Sequence, residues 1–92
     1  MTQDSAGTAR IRNAAGLHAR PCHAIVTLAR QYDAELRVAS GGVEVNGRSI
    51  LELMTLCAPC EAVISFTAQG RDASVLVERL VALVEAGFHE SD

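Results

Sequence analysis

Apolar and polar residues alternate in three short stretches of this chain and follow a helical spacing in three others. Thr8-Ala9-Arg10-Ile11-Arg12 has the two-residue period of a half-buried strand, with Ala9 and Ile11 directed to a core. Ile25, Leu28, Ala29 and Tyr32 stand at i, i+3, i+4 and i+7, predicting a first helix from Ala19 to Gln31 or Tyr32. Asp33 breaks that pattern. From Ala34 to Ala39 alternation returns, Leu36 and Val38 inward, Glu35 and Arg37 outward. Ser40-Gly41-Gly42 reads as a hairpin turn into a strand Val43-Glu44-Val45, and Asn46-Gly47 as a second turn.

Ser49-Ile50-Leu51-Glu52 fits a capping box, in which the Ser49 hydroxyl takes the Glu52 amide and the Glu52 carboxylate reaches back. A short helix is predicted from Ile50 to Leu56, stopped by Pro59. Ala62 to Ala68 alternates again, with Ile64 and Phe66 on one face and Val63, Ser65 and Thr67 on the other. Gly70 turns the chain, Asp72 is placed to cap, and a last helix runs to Ala86 with Leu76, Leu80, Leu83 and Val84 as its buried stripe and Gly87 as its stop. Residues 1–7 read as a loose tail, 8–88 as one domain and 89–92 as a C-terminal tail. The order β-α-β-β-α-β-α, with a central hairpin and helices between outer strands, predicts an α+β two-layer domain: one antiparallel sheet, helices on one face, the other face open.

The 92 residues suffice for one domain with a modest core. There is no Trp and one Tyr, which disfavours stacking on nucleic-acid bases, and the net charge of −3 disfavours a nucleic-acid or anionic-membrane surface. No run approaches a membrane span, and the polar Met1–Gly7 segment has no signal core, so a cytoplasmic protein with no membrane insertion is expected. Three cysteines cannot all pair with one another.

Chemistry concentrates in Gly16-Leu17-His18-Ala19-Arg20-Pro21. Pro suits the first turn of a helix, and Gly16 permits a turn closed to other residues. His18 is thereby placed at a helix N-terminus, where unpaired N–H groups and the positive end of the dipole favour an anion. Imidazole is nucleophilic near neutral pH, and an arginine can grip a phosphate with two parallel N–H bonds. These features suggest a histidine that carries a phosphoryl group. A lone histidine at a helix start also serves as a cap or a surface residue.

With that motif and element order, the chain resembles the HPr phosphocarrier family of the bacterial phosphoenolpyruvate:sugar phosphotransferase system, over residues 8 to 87. Gly16-Leu17-His18-Ala19-Arg20-Pro21 matches the family's phosphorylation motif at every position, and Arg48-Ser49-Ile50-Leu51-Glu52-Leu53-Met54-Thr55-Leu56 matches its regulatory-serine motif. The resemblance implies an open-faced sandwich with sheet order 1-4-2-3 and three helices on one face. It implies that His18 accepts a phosphoryl group on Nδ1 from phosphorylated enzyme I and passes it to a histidine of an enzyme IIA. Arg20 would steady the group, and Ser49 would be the target of an ATP-dependent HPr kinase/phosphorylase. Leu17, Ile50, Leu51 and Met54 would form the docking surface of a monomer that needs no cofactor or metal. Leu53 and Leu56 are assigned to the core. A regulatory phosphocarrier of the nitrogen branch is a second reading within the same family.

The chain departs from the family at its cysteines. Cys22 and His23 follow the motif where small residues are common, and Cys57-Ala58-Pro59-Cys60 replaces a stretch of glycine and polar residues. A thiol- or metal-responsive module using Cys57 and Cys60 is therefore a rival reading, with His18, Cys22 and His23 as further soft ligands. The pair falls at a helix end, where the dipole disfavours thiolate, and Cys22 and Cys57 are expected as small buried or half-buried apolar residues. Glu52 is a further departure, since many family members carry an uncharged or basic residue there.

Overall fold

Alternating apolar side chains in four strands meet the apolar stripes of three helices in one core. The computed structural model describes residues 3–90, and the elements run β1 (Gln3–Arg10), α1 (Ala19–Ala29), β2 (Glu35–Ser40), β3 (Val43–Asn46), α2 (Ile50–Met54), β4 (Val63–Gly70) and α3 (Ala73–Glu85), closed by a 3₁₀ turn, Gly87–His89. The sheet order is β1-β4-β2-β3 and every pairing is antiparallel. This is the predicted α+β sandwich. Ala9, Leu36, Val38, Ile64, Phe66 and Ala68 line its buried face, while Glu35, Arg37, Val63 and Thr67 face water. Helix α3 packs on β1 and β4, and α1 packs against α2 and α3. The Gly41-Gly42 turn joins Ser40 to its cross-strand partner Val43 with both glycines at positive φ, 58° and 81°, as a two-residue hairpin turn requires.

The boundaries differ from the sequence expectation for identifiable reasons. Strand β1 begins at Gln3, not Thr8, because Gln3–Gly7 pairs through its main chain with Phe66–Gly70. Residues 3–7 are therefore sheet rather than loose tail, and residues 1 and 2 lie outside the described residues. Gly7 allows the strand to pass beneath α3, where a Cβ would meet Val77 Cγ1 at 2.8 Å. Helix α1 ends at Ala29 because Gln31 and Tyr32 bond back to Leu28 and Ala29 in i→i−3 fashion, which tightens the last turn. Helix α2 ends at Met54, before Pro59 is reached, since Cys57 takes a left-handed φ of 48°.

One cap also differs. Asp72 sits at the start of α3 but makes no cap bond to it; its carboxylate accepts instead from the Asp33 amide at 2.7 Å. In the buried stripe of α3, Val77 is buried where Leu83 is only half-buried. The sequence predicts a C-terminal tail over 89–92, and the structure differs. His89 closes the 3₁₀ turn and Glu90 reaches the loop before α1, while residues 91 and 92 lie outside the described residues.

Candidate functional site

The loop from Asn13 to His18 is folded by its own polar groups and by a crossing strand of chain. Gly16 bonds to the Asn13 carbonyl at 3.1 Å with φ 71°, and Leu17 donates its amide to the Ala58 carbonyl at 2.8 Å. The Cys57–Cys60 segment thus lies directly on the loop. A Cβ on Gly16 would stand 2.5 Å from the Ala58 oxygen. The glycine is required both for its positive φ and for this close approach.

That geometry delivers His18 to the N-cap of α1 with extended backbone, φ −91° and ψ −170°. Its carbonyl accepts the Cys22 amide at 3.1 Å, and its ring makes no cap bond. The ring is 40% exposed, and Nε2 lies 3.3 Å from Glu90 Oε2. Pro21 has no N–H, so among the described residues the open N–H groups of the first turn belong to Ala19 and Arg20. No acidic residue stands in that turn. Arg20 is exposed, and among the described residues its guanidinium makes no hydrogen bond or ion pair. An accessible imidazole, two helix amides and an unengaged guanidinium therefore share one end of α1, which suits a dianionic phosphoryl group on the ring.

Helix α2 leaves Leu51 79% and Met54 40% exposed, with Ile50 half-buried against the core. Leu53 is fully buried and Leu56 partly so, both as expected. Leu17 is a correction: it is 4% exposed because the loop folds its side chain into the core, so it offers no docking surface. Ser49 caps α2 through Oγ, which accepts from the Glu52 amide at 3.2 Å. The reciprocal half of the capping box is absent; Glu52 Oε1 accepts from the Asn46 amide at 3.0 Å.

The three cysteines differ in environment. Cys22 lies on the buried face of α1, its thiol faces the Leu17 carbonyl at 3.8 Å, and burial pushes its pKa up to about 11. It is a small apolar core residue, not a thiolate. Cys57 is exposed rather than buried, and Cys60 is half-buried near the Arg12 carbonyl. Among the described residues no group of three or more His, Cys, Asp or Glu side chains is arranged to hold a metal ion. Two residues of the site carried no local sequence signal, Asn13 and Glu90. Asn13 Nδ2 bridges the Gly16 carbonyl at 2.7 Å and Glu90 Oε1 at 3.3 Å.

The model of the PTS HPr component phosphorylation site matches residues 6–86. A phosphocarrier protein HPr of Treponema pallidum is 30% identical over 83 residues, covering 90% of this chain and 94% of the relative. A phosphocarrier protein NPr of Shewanella violacea is 33% identical over 81 residues, covering 88% and 89%. A multiphosphoryl transfer protein of Vibrio cholerae is 34% identical over 86 residues, but this chain spans only 22% of its length. The crystal structure of an HPr from Thermoanaerobacter tengcongensis superposes with a TM-score of 0.88 at 32% identity, covering 96% of this chain and 99% of that one. Sequence, fold and site agree: the chain belongs to the HPr family of phosphocarrier proteins of the phosphotransferase system.

Proposed function

We propose that His18 accepts a phosphoryl group from phosphorylated enzyme I and passes it to a histidine of an enzyme IIA, in the cytoplasm. The observation that carries this is a half-exposed His18 ring at the N-cap of α1, two residues before an Arg20 that has no partner among the described residues. Transfer between two imidazoles is an in-line displacement. The attacking Nδ1 forms a P–N bond as the donor's P–N bond breaks, and catalysis consists of positioning and charge stabilisation. The helix amides and one guanidinium hold the phosphoryl group without trapping it, as a relay requires. The NPr relative supports regulatory use within a nitrogen branch as a second reading.

Arg20→Ala removes a charge-assisted contact that strengthens as charge develops on the transferring group, an interaction of about 1.5–3 kcal/mol. Transfer from phosphorylated enzyme I is expected to slow by roughly 10- to 100-fold at unchanged thermal stability. Stopped-flow or quenched-flow transfer rates check this, and an unchanged rate would remove Arg20 from the site.

Leu51 and Met54, with Ile50 beside them, form the docking surface in this reading, and Met adapts readily to more than one partner. Ser49 caps the same helix, so a phosphate there adds about −1.5 to −2 charge at the edge of that surface. An HPr kinase/phosphorylase acting on Ser49 would thereby weaken docking without unfolding the domain. Ser49→Asp and Leu51→Glu are each expected to raise the half-saturating concentration for enzyme I about tenfold while circular dichroism and melting stay near wild type. An unchanged half-saturation in both variants would sink the surface and the regulatory role together.

A further inference from the structure

After α3 the chain reverses. Gly87, Phe88 and His89 take left-handed φ values of 66°, 56° and 59° in succession. Glycine adopts that region freely, whereas Phe and His seldom do. Burial of Phe88, 8% exposed, anchors the turn, and hydrogen bonds from the His89 amide to the Ala86 carbonyl and from the Glu90 amide to the Gly87 carbonyl close it. Strained backbone of this kind persists where surrounding structure imposes it, often beside a functional group.

What the turn delivers is Glu90. Its side chain is 11% exposed and Oε2 stands 3.3 Å from His18 Nε2. The other oxygen, Oε1, is held by Asn13 Nδ2 at 3.3 Å, and Asn13, 1% exposed, also grips the Gly16 carbonyl two residues before His18. Glu90 Oε2 is buried and, among the described residues, has no hydrogen-bond partner. A buried carboxylate oxygen requires a donor, and the group at hand is His18 Nε2.

We propose that Glu90 is the positioning residue for His18: its carboxylate retains the proton on Nε2, so that Nδ1 keeps the lone pair that attacks phosphorus. This rests on the carrier reading above. In a neutral imidazole one nitrogen donates and the other accepts, and the partner of the first selects the second as nucleophile. As Nδ1 gives its lone pair to phosphorus, the ring gains positive charge with its Nε2 proton still in place. The donor imidazole recovers the electron pair of the broken P–N bond, and no proton moves. Glu90 then faces a cationic ring and stabilises it, as a buried carboxylate does for the imidazolium of a catalytic triad. Asn13 fixes the carboxylate and the loop together, so the ring's orientation is set from both sides.

The test is nitrogen-15 and proton NMR of the His18 ring in the full-length protein without any transfer partner, above the imidazole titration range. The wild type is expected to show a single tautomer with a slowly exchanging N–H on Nε2. In Glu90→Ala that N–H is expected to be lost to rapid solvent exchange and the Nδ1–H tautomer to become detectable. Glu90→Gln, nearly isosteric, guards against a packing effect: it keeps an acceptor but loses the charge, and its acceptance of phosphoryl from enzyme I is expected to fall about tenfold. Ring spectra and N–H exchange identical to wild type in both variants would overturn the proposal. Failure of the wild type to accept phosphoryl would instead overturn the carrier reading, because the ring spectra are read without transfer.

Discussion

Replacing His18 by alanine is expected to abolish phosphoryl acceptance while leaving the fold intact. The ring makes no cap bond to α1 and is 40% exposed, so its packing contributes little. Its backbone carbonyl, which accepts the Cys22 amide, remains in the variant. Glu90 loses its neighbour, yet the opened site admits water, and the stability change should stay within about 1 kcal/mol. The chemistry is different in kind. Arg20 and the amides of Ala19 and Arg20 are placed to hold an anion, but none of them can form the P–N bond. Acceptance should therefore fall by at least about 10⁴-fold, the scale seen when a nucleophile is deleted and its supporting groups remain. Transfer from labelled phosphorylated enzyme I measures it, with thermal melting as the control. Acceptance within tenfold of wild type would move the site to His23 or His89.

Gly16→Val is expected to cost stability rather than chemistry alone. A left-handed φ of 71° is unfavourable for a β-branched residue by about 1–2 kcal/mol. The added Cβ would meet the Ala58 carbonyl at 2.5 Å and the Pro59 backbone at 3.0 Å, neither of which is a flexible side-chain end. The Leu17 amide would have to leave Ala58, which exposes a buried bond and lifts Leu17 from the core. A total of about 3 kcal/mol or more follows, or a fall in melting temperature of roughly 12–24 °C for a domain of this size. Thermal denaturation checks it. A shift under about 3 °C would mean that the loop does not depend on the Gly16–Ala58 approach.

Much of the fold was legible because its signals are local. Leu36 and Val38, or Ile64 and Phe66, declare their faces by alternation, and Ser49 caps α2 as its spacing implied. The failures share a cause in long-range contact. Gln3–Gly7 has no apolar alternation, and only pairing with β4 makes it a strand. Asp72 resembles a helix cap, but the Asp33 amide, 39 residues away, takes its carboxylate. Leu17, which the family resemblance assigns to the docking surface, is buried because its amide bonds to Ala58 and draws the loop inward. The site was half legible for the same reason. His18 and Arg20 lie within one helix start, whereas Glu90 reaches His18 only because a left-handed turn after α3 folds the end of the chain back. Gly87 marked the stop of α3; nothing local announced where the following carboxylate would land.

Phosphoryl carriage by this chain is tested by the intact mass of the wild-type protein after incubation with phosphoenolpyruvate and a bacterial enzyme I, before and after brief acid treatment. One phosphoryl group per chain is expected, lost in acid as a phosphorus–nitrogen bond is. No mass gain with the cognate enzyme I, or a gain that survives acid, would contradict it.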